Sequence, residues 1–320
     1  VPSIGIGTWS VVSGPGTGSF SPDVNNPNAV FTASAYGSYV LRWTEVNGGM
    51  CVSTSDKTVL FERTANAGSD MNLCGTLAAT LAGNAPAVGQ GTWTLVSGPG
   101  TVSFTPSANT PNATATVSAY GAYVFRWTMR NSVFCFTTDD VAVVYNPSGQ
   151  VNKPADMFVC TGDITSGVTF TTVNTGGITT YRWTNNNISI GLAASGDGNL
   201  PSFTATNPGT SPVSATITIT PTFTNGTTVC PGPPVTFTIT VNPDGQVNPI
   251  VNRIACENTT VGVSFSTVNE GGTTTYNWTN NNTGIGLPGT GSGDISFTAT
   301  NTSTSPITGT ITVTPVFSNG

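Results

Sequence analysis

The chain reads GTWSVVSGPGTGSF over residues 7–20 and SAYGSYVLRWT over residues 34–44. It reads nearly the same again 84 positions later, as GTWTLVSGPGTVSF (91–104) and SAYGAYVFRWT (118–128). Of the 38 positions from 7 to 44, 26 are identical in 91–128. Trp9 maps onto Trp93, Trp43 onto Trp127 and Cys51 onto Cys135. Self-similarity at a fixed period is the mark of one structural unit repeated in series. Within the unit the period is two. In YVLRWT (39–44), Tyr39, Leu41 and Trp43 share one face, and Val40 and Arg42 take the other. That alternation predicts half-buried antiparallel strands.

A second repeat follows the first. GGITTYRWTNNNISIGL (176–192) returns as GGTTTYNWTNNNTGIGL (271–287), identical at 13 of 17 positions. Here Ile217, Ile219 and Phe223 alternate with Thr216, Thr218 and Thr220, and Val235, Phe237, Ile239 and Val241 alternate with threonines. Threonine suits such strands because its β-branch fits the pleat while its hydroxyl stays wet. The segment 73–81, with Gly75 and two threonines, also reads as strand. Short strands with Gly, Pro and Asn turns, in units of this size, predict an all-β chain of tandem immunoglobulin-like β-sandwiches.

The order is two A repeats, then two B repeats: a partial sandwich over 1–64, whole ones over 65–146 and 147–242, and a partial one over 243–320. The junctions NPSGQVN (146–152) and NPDGQVN (242–248) differ at one position. Such short links suit abutting domains in an extended array better than a tether. Both ends of the sequence fall inside repeats, which predicts a segment of a longer array.

Composition narrows the function. Only 7% of residues are charged, the net charge is −6, and there is no histidine. The 8 basic residues are too few for a nucleic-acid stripe or a polybasic membrane patch. Without histidine, Ser-His-Asp and Cys-His nucleophile systems and His-containing zinc sites are excluded from this chain. With 14 acids spread over 320 residues, a paired-carboxylate cleft is not expected. The chain therefore reads as no enzyme and as needing no cofactor and no metal.

The remaining motifs have plain readings. Gly14-Pro15-Gly16-Thr17-Gly18 and its copy lack a Walker lysine and a helix, so they read as turns between strands. Asp139-Asp140 lacks a calcium-loop pattern and reads as a solvated turn. Arg42, Arg126 and Arg182 each precede a tryptophan and fall on the wet face. Trp93, Trp127, Trp183 and Trp278 fall on the apolar face and are expected in the cores rather than as a sugar platform. Sequons stand at Asn112, Asn187, Asn225, Asn258, Asn277, Asn281 and Asn301.

Each whole repeat owns one early and one late cysteine. That spacing predicts disulfides Cys74–Cys135 and Cys160–Cys230, leaving Cys51 and Cys256 without partners. Disulfides imply an exported, oxidising setting.

The stretches GTWTLVSGPG with YGAYVFRWT, and YRWTNNNISIGL with FTITVNP, resemble the PKD-like, immunoglobulin-like repeats of giant cell-surface proteins of Bacteroidota. These include gliding-motility adhesins of the SprB type and other type IX-secreted proteins. The resemblance spans essentially the whole chain. It implies export, display on the cell surface through regions outside this segment, and a structural role as stalk or filament. It implies no catalytic residues. The partners it implies are neighbouring repeats, other copies in a fibre, and an external surface or polysaccharide, with no nucleic acid and no membrane insertion. The alternative reading is a carbohydrate- or surface-binding module of a secreted multidomain protein.

Overall fold

The structure is a computed structural model describing residues 5–131 and 136–319. Apart from two short 3-10 turns, its regular elements among the described residues are all strands. They form tandem immunoglobulin-like β-sandwich repeats, grouped in two compact units, Val1–Pro147 and Ser148–Gly320.

In the first unit, residues 5–61 form a sheet in the order Ile6–Ser13, Gly37–Asn47, Cys51–Phe61. A hairpin of Gly18–Ser21 and Val30–Ala33 packs its Phe20 against Trp9 and its Phe31 against Tyr39. The second A repeat has a four-stranded sheet in the order Met71–Cys74, Phe136–Asn146, Gly121–Arg130, Gln90–Ser97. Opposite it lies a three-stranded sheet of Ala78–Thr80, Thr114–Val117 and Val102–Thr105. Met71–Cys74 runs parallel to Val143–Asn146. A parallel pair needs a long crossover, and here the body of the repeat supplies it.

The alternation in sequence becomes the core directly. Tyr123, Phe125, Trp127 and Met129 are buried, as are Val141, Val143 and Tyr145 on the neighbouring strand. The turn SGPG sits against this core for a steric reason. A Cβ at Gly98 would overlap the Tyr123 ring, and Gly121, at φ +141°, lies over Pro99. Tyr123 then donates its hydroxyl to the Ala119 carbonyl four residues back (2.9 Å), pinning the corner. Tyr39 repeats this with Ala35 at 3.1 Å.

In the second unit, the first B repeat is built on the long strand Val213–Asn225, between Val235–Asn242 and Ile178–Asn185. Met157–Cys160 pairs in parallel with Val235–Asn242, and Ser195–Asp197 adds to the other side. Thr228–Pro231 folds back on one end of the long strand. The opposing layer is irregular, tied by the bridges Ile164↔Thr204 and Val168↔Leu200. It nonetheless delivers Phe170, Leu200 and Ala205 to the core. The second B repeat has the sheet Thr290–Ser292, Thr273–Asn280, Ile311–Ser318 and a two-stranded antiparallel sheet of Thr260–Val263 with Ile295–Thr298.

The TNNN run shapes each B repeat. Asn187 accepts from the Ser189 amide and starts a 3-10 turn, which Gly191 closes in the left-handed region at φ 93°. Asn185 is buried and donates to the Leu192 carbonyl at 3.0 Å. Asn186 accepts from the Thr216 amide at 2.7 Å. Three consecutive asparagines thus satisfy backbone groups that irregular chain leaves open, and they press Ile190 and Leu192 into the core. Asn280, Asn281 and Asn282 do the same beside Leu287.

Candidate functional site

The candidate functional features are the ones that hold each repeat and its junction. The tryptophans come first. Trp93 and Trp127 are 1% and 0% exposed, with ring centroids 4.9 Å apart. Trp93 donates Nε1–H to the Pro111 carbonyl and Trp127 to that of Asn84, both at 3.0 Å. Trp183 and Trp278 are buried too, at 2% and 7%. Their indole faces are turned inward and offer nothing to a sugar. Every one of these sheets seats a tryptophan on a glycine: a Cβ at Gly7, Gly91, Gly196 or Gly291 would overlap the ring of Trp43, Trp127, Trp183 or Trp278 respectively. Sequence reasoning missed these seats. Their signal was GTW in the A repeats, with Gly91 and Trp93 on the strand that borders Trp127.

The wet faces carry the few charges. Arg126 and Asp140 are register partners on adjacent strands and meet in a bidentate pair, Nε–Oδ1 2.7 Å and Nη2–Oδ2 2.8 Å. Arg42 and Asp56 repeat it with the same distances. The guanidinium hydrogen bonds hold Asp140 and Asp56 below the usual aspartate range. Arg182 and Asp197 stand 4.0 Å apart and largely exposed. Asp139-Asp140 is not the solvated turn expected from the sequence. It lies inside the strand Phe136–Asn146, whose pleat sends the two carboxylates to opposite faces. Asp140 meets Arg126, and Asp139 accepts from the Ala67 amide at 2.7 Å. Among the described residues no three His, Cys, Asp or Glu side chains gather as a metal site would require.

The junctions are docked rather than loose. In the second unit the linker NPDGQVN runs against the Pro315 carbonyl, leaving no room for a Cβ at Gly245. Asn269 clasps it, accepting from the Gln246 amide at 2.7 Å and donating to the Asp244 carbonyl at 3.0 Å. The preceding repeat joins the same clasp: Thr210 accepts from Asn269 Nδ2 at 3.3 Å and from the Glu270 amide at 2.9 Å. Asn174 holds Gln150 and Ser148 in the same way. In the first unit, Glu62 accepts from the Ala87 amide at 3.0 Å and Arg63 covers the Tyr36 ring at 5.5 Å.

The cysteines depart from the expected pairing at Cys160, while Cys51 and Cys256 are unpaired as expected. Cys74 and Cys230 are disulfide-bonded, whereas Cys51, Cys160 and Cys256 are free and exposed. Cys160–Cys230 is therefore not formed. The reason is distance. Cys160 pairs in register with Asn242, at the Val213 end of the long strand, and Cys230 stands opposite Phe223, ten residues along it. Ten strand residues span about 33 Å, and a disulfide needs Cα atoms within about 7 Å. Cys135, the expected partner of Cys74, lies outside the described residues.

No protein-family model and no curated protein matches the chain. Solved structures do resemble it. The insect immune protein hemolin matches with 12% identity and a TM-score of 0.35, over 75% of this chain and 68% of hemolin. The eight N-terminal immunoglobulin domains of Down syndrome cell adhesion molecule match with 11% identity and a TM-score of 0.31, over 98% of this chain and 50% of that one. Protocadherin γB7 domains EC3–6 match with 12% identity and a TM-score of 0.30, over 98% and 93%.

Proposed function

We propose that this chain is a structural stalk segment of a large extracellular cell-surface adhesin, made of repeats bounded near 64, 146 and 242. The observation that supports it best is the clasp at Asn269, which ties linker, following repeat and preceding repeat through one side chain. A tether would leave those backbone groups to water. The glycine-seated tryptophans and neutral Thr/Asn faces serve the same end: cooperative sandwiches with an inert surface. The sequence resemblance adds the setting of type IX-secreted, gliding-related surface proteins of Bacteroidota, attached at the outer membrane through regions elsewhere. In this reading the partners are neighbouring repeats, further copies in a fibre, and an external surface or polysaccharide, and the segment carries no enzymatic activity.

Single-molecule pulling of the full chain in reducing buffer tests the proposal. Discrete force peaks, one for each sandwich that opens, are expected. Smooth extension without peaks overturns the stalk reading, because such a chain bears no load in its folded state.

A further inference from the structure

The wet face of the second A repeat carries an open groove of about 630 Å³, on the strands Gln90–Ser97 and Gly121–Arg130. Gln90, Thr92, Thr94, Thr128, Arg130 and Asn131 line it. Gln90, Thr92 and Thr94 alternate along one strand, and Thr128 and Arg130 along the next, so these side chains share a face. Register sets them in rows: Thr92, Thr128 and Thr138 in one, Gln90, Arg130 and Phe136 in the next. Thr92 Oγ1 already accepts from Asn109 Nδ2 at 2.7 Å, which leaves its own proton to donate.

The two arginines of this face differ. Arg126 is neutralised by Asp140 in its bidentate pair. Arg130 is exposed, and among the described residues no carboxylate stands within ion-pair distance of it. Its guanidinium carbon lies over the exposed Phe136 ring, 5.2 Å from the centroid. A ring face steadies a guanidinium without using up its N–H donors. The first A repeat keeps the threonine row, as Thr8, Thr44 and Thr54, but its next row is Ile6, Val46 and Val52, apolar and exposed. The fold therefore does not require a cation at this place.

We propose that this groove binds an acidic polysaccharide, with a uronate carboxylate on Arg130 and sugar hydroxyls on Gln90, Thr92 and Thr128. This names a site for the polysaccharide partner of the stalk reading and rests on that reading. A guanidinium takes a carboxylate through two parallel N–H donors. Hydroxyl and amide side chains both donate and accept, as sugar hydroxyls do. The net charge of −6 works against an anion over the chain as a whole, so an anion needs a local, unneutralised cation such as Arg130. An acidic peptide fits less well. The groove lies on the face of the sheet, where the backbone groups are paired, and every side chain that lines it is polar.

Isothermal titration of the full chain with oligogalacturonate at low salt tests this. Binding is expected, weakened at least about tenfold by Arg130→Val, which installs the residue of the first repeat and removes a charged hydrogen bond. Thr128→Ala should weaken it less. Arg253→Gln, at an exposed arginine outside the groove, should leave it unchanged. The proposal is overturned by an absence of binding, by Arg130→Val without effect, or by equal binding of neutral dextran. Equal or tighter binding of poly-glutamate overturns it too, since charge alone would then suffice. None of these outcomes alters the force peaks, which test the stalk reading separately.

Discussion

Trp43 and Trp127 occupy the same place in nearly the same eleven residues, yet Trp127 is fully buried and Trp43 is partly exposed. The difference lies in what covers them. In the second A repeat, Gly83 packs on both tryptophan rings and the Asn84 carbonyl takes the Trp127 Nε1 proton. Residues 5–61 contain no counterpart of that segment or of the strands Met71–Cys74 and Ala78–Thr80. Trp43 turns its Nε1 to Glu45 instead (2.9 Å), a residue standing where the closed repeat has the buried Met129. Lys57 likewise stands where Val141 is buried. The B repeats show the same contrast. Ile217 and Ile219 are buried beside the neighbouring strand Val235–Asn242, while Ile311 and Val313, which have no such neighbouring strand among the described residues, are only partly buried. Burial here belongs to the closed sandwich and not to the stretch of sequence.

That contrast sets the size of the expected effects. Trp127→Ala should cost about 3–5 kcal/mol, read from the denaturant midpoint of the full chain, and Trp43→Ala clearly less. Equal losses would break the comparison. Gly91→Ala should cost about 1–3 kcal/mol by driving a methyl into the enclosed Trp127 ring. Gly7→Ala should cost less, since Trp43 has room to swing outward. Thermal melting of the two variants side by side decides this.

Junctions come next. Asn269→Ala removes the clasp and should cost about 1–2 kcal/mol. It should also open the linker 243–248 to limited proteolysis, as Asn174→Ala should for 147–152. Cleavage unchanged from the parent chain would mean that the linkers are held by something else.

A smaller effect separates the A repeats by pH. Burial pushes the Tyr145 phenol up to about 12, while the first repeat has Phe61 at that position. A raised phenol pKa means that the folded state holds its proton more tightly. The stability it contributes is complete below about pH 10 and falls as pH rises toward 12. Tyr145→Phe should flatten that fall, at the loss of the hydrogen bond to the Ala115 carbonyl (3.2 Å). A fall of unchanged steepness in the variant would assign the pH effect to another group.

Much of this was legible in the sequence. Two-residue alternation places Tyr123, Phe125 and Trp127 in a core because strand geometry leaves no other arrangement. The identity between repeats shows which stretches recur, so that Tyr39 and Tyr123 pin the same corner. That Cys160 and Cys230 do not pair was not legible, because spacing tells which cysteines share a repeat and not how far apart along the sheet each stands. Asp139-Asp140 read as a turn because two adjacent acids look solvated, whereas the pleat parts them and Arg126 and the Ala67 amide take one each. The glycine seats and the asparagine clasps depend on contacts across strands far apart in sequence. In the local sequence they look like ordinary loop residues.

Hydrogen exchange of the full chain tests the central claim most directly, because residues 37–47 and 121–130 are near-copies whose exchange differs only through their surroundings. Amides of the strand Gly121–Arg130 should exchange at least about 100-fold more slowly than those of Gly37–Asn47, as expected when one opens with its whole closed sandwich and the other by local opening. Equal protection of the two strands would contradict the account and return the difference to sequence alone.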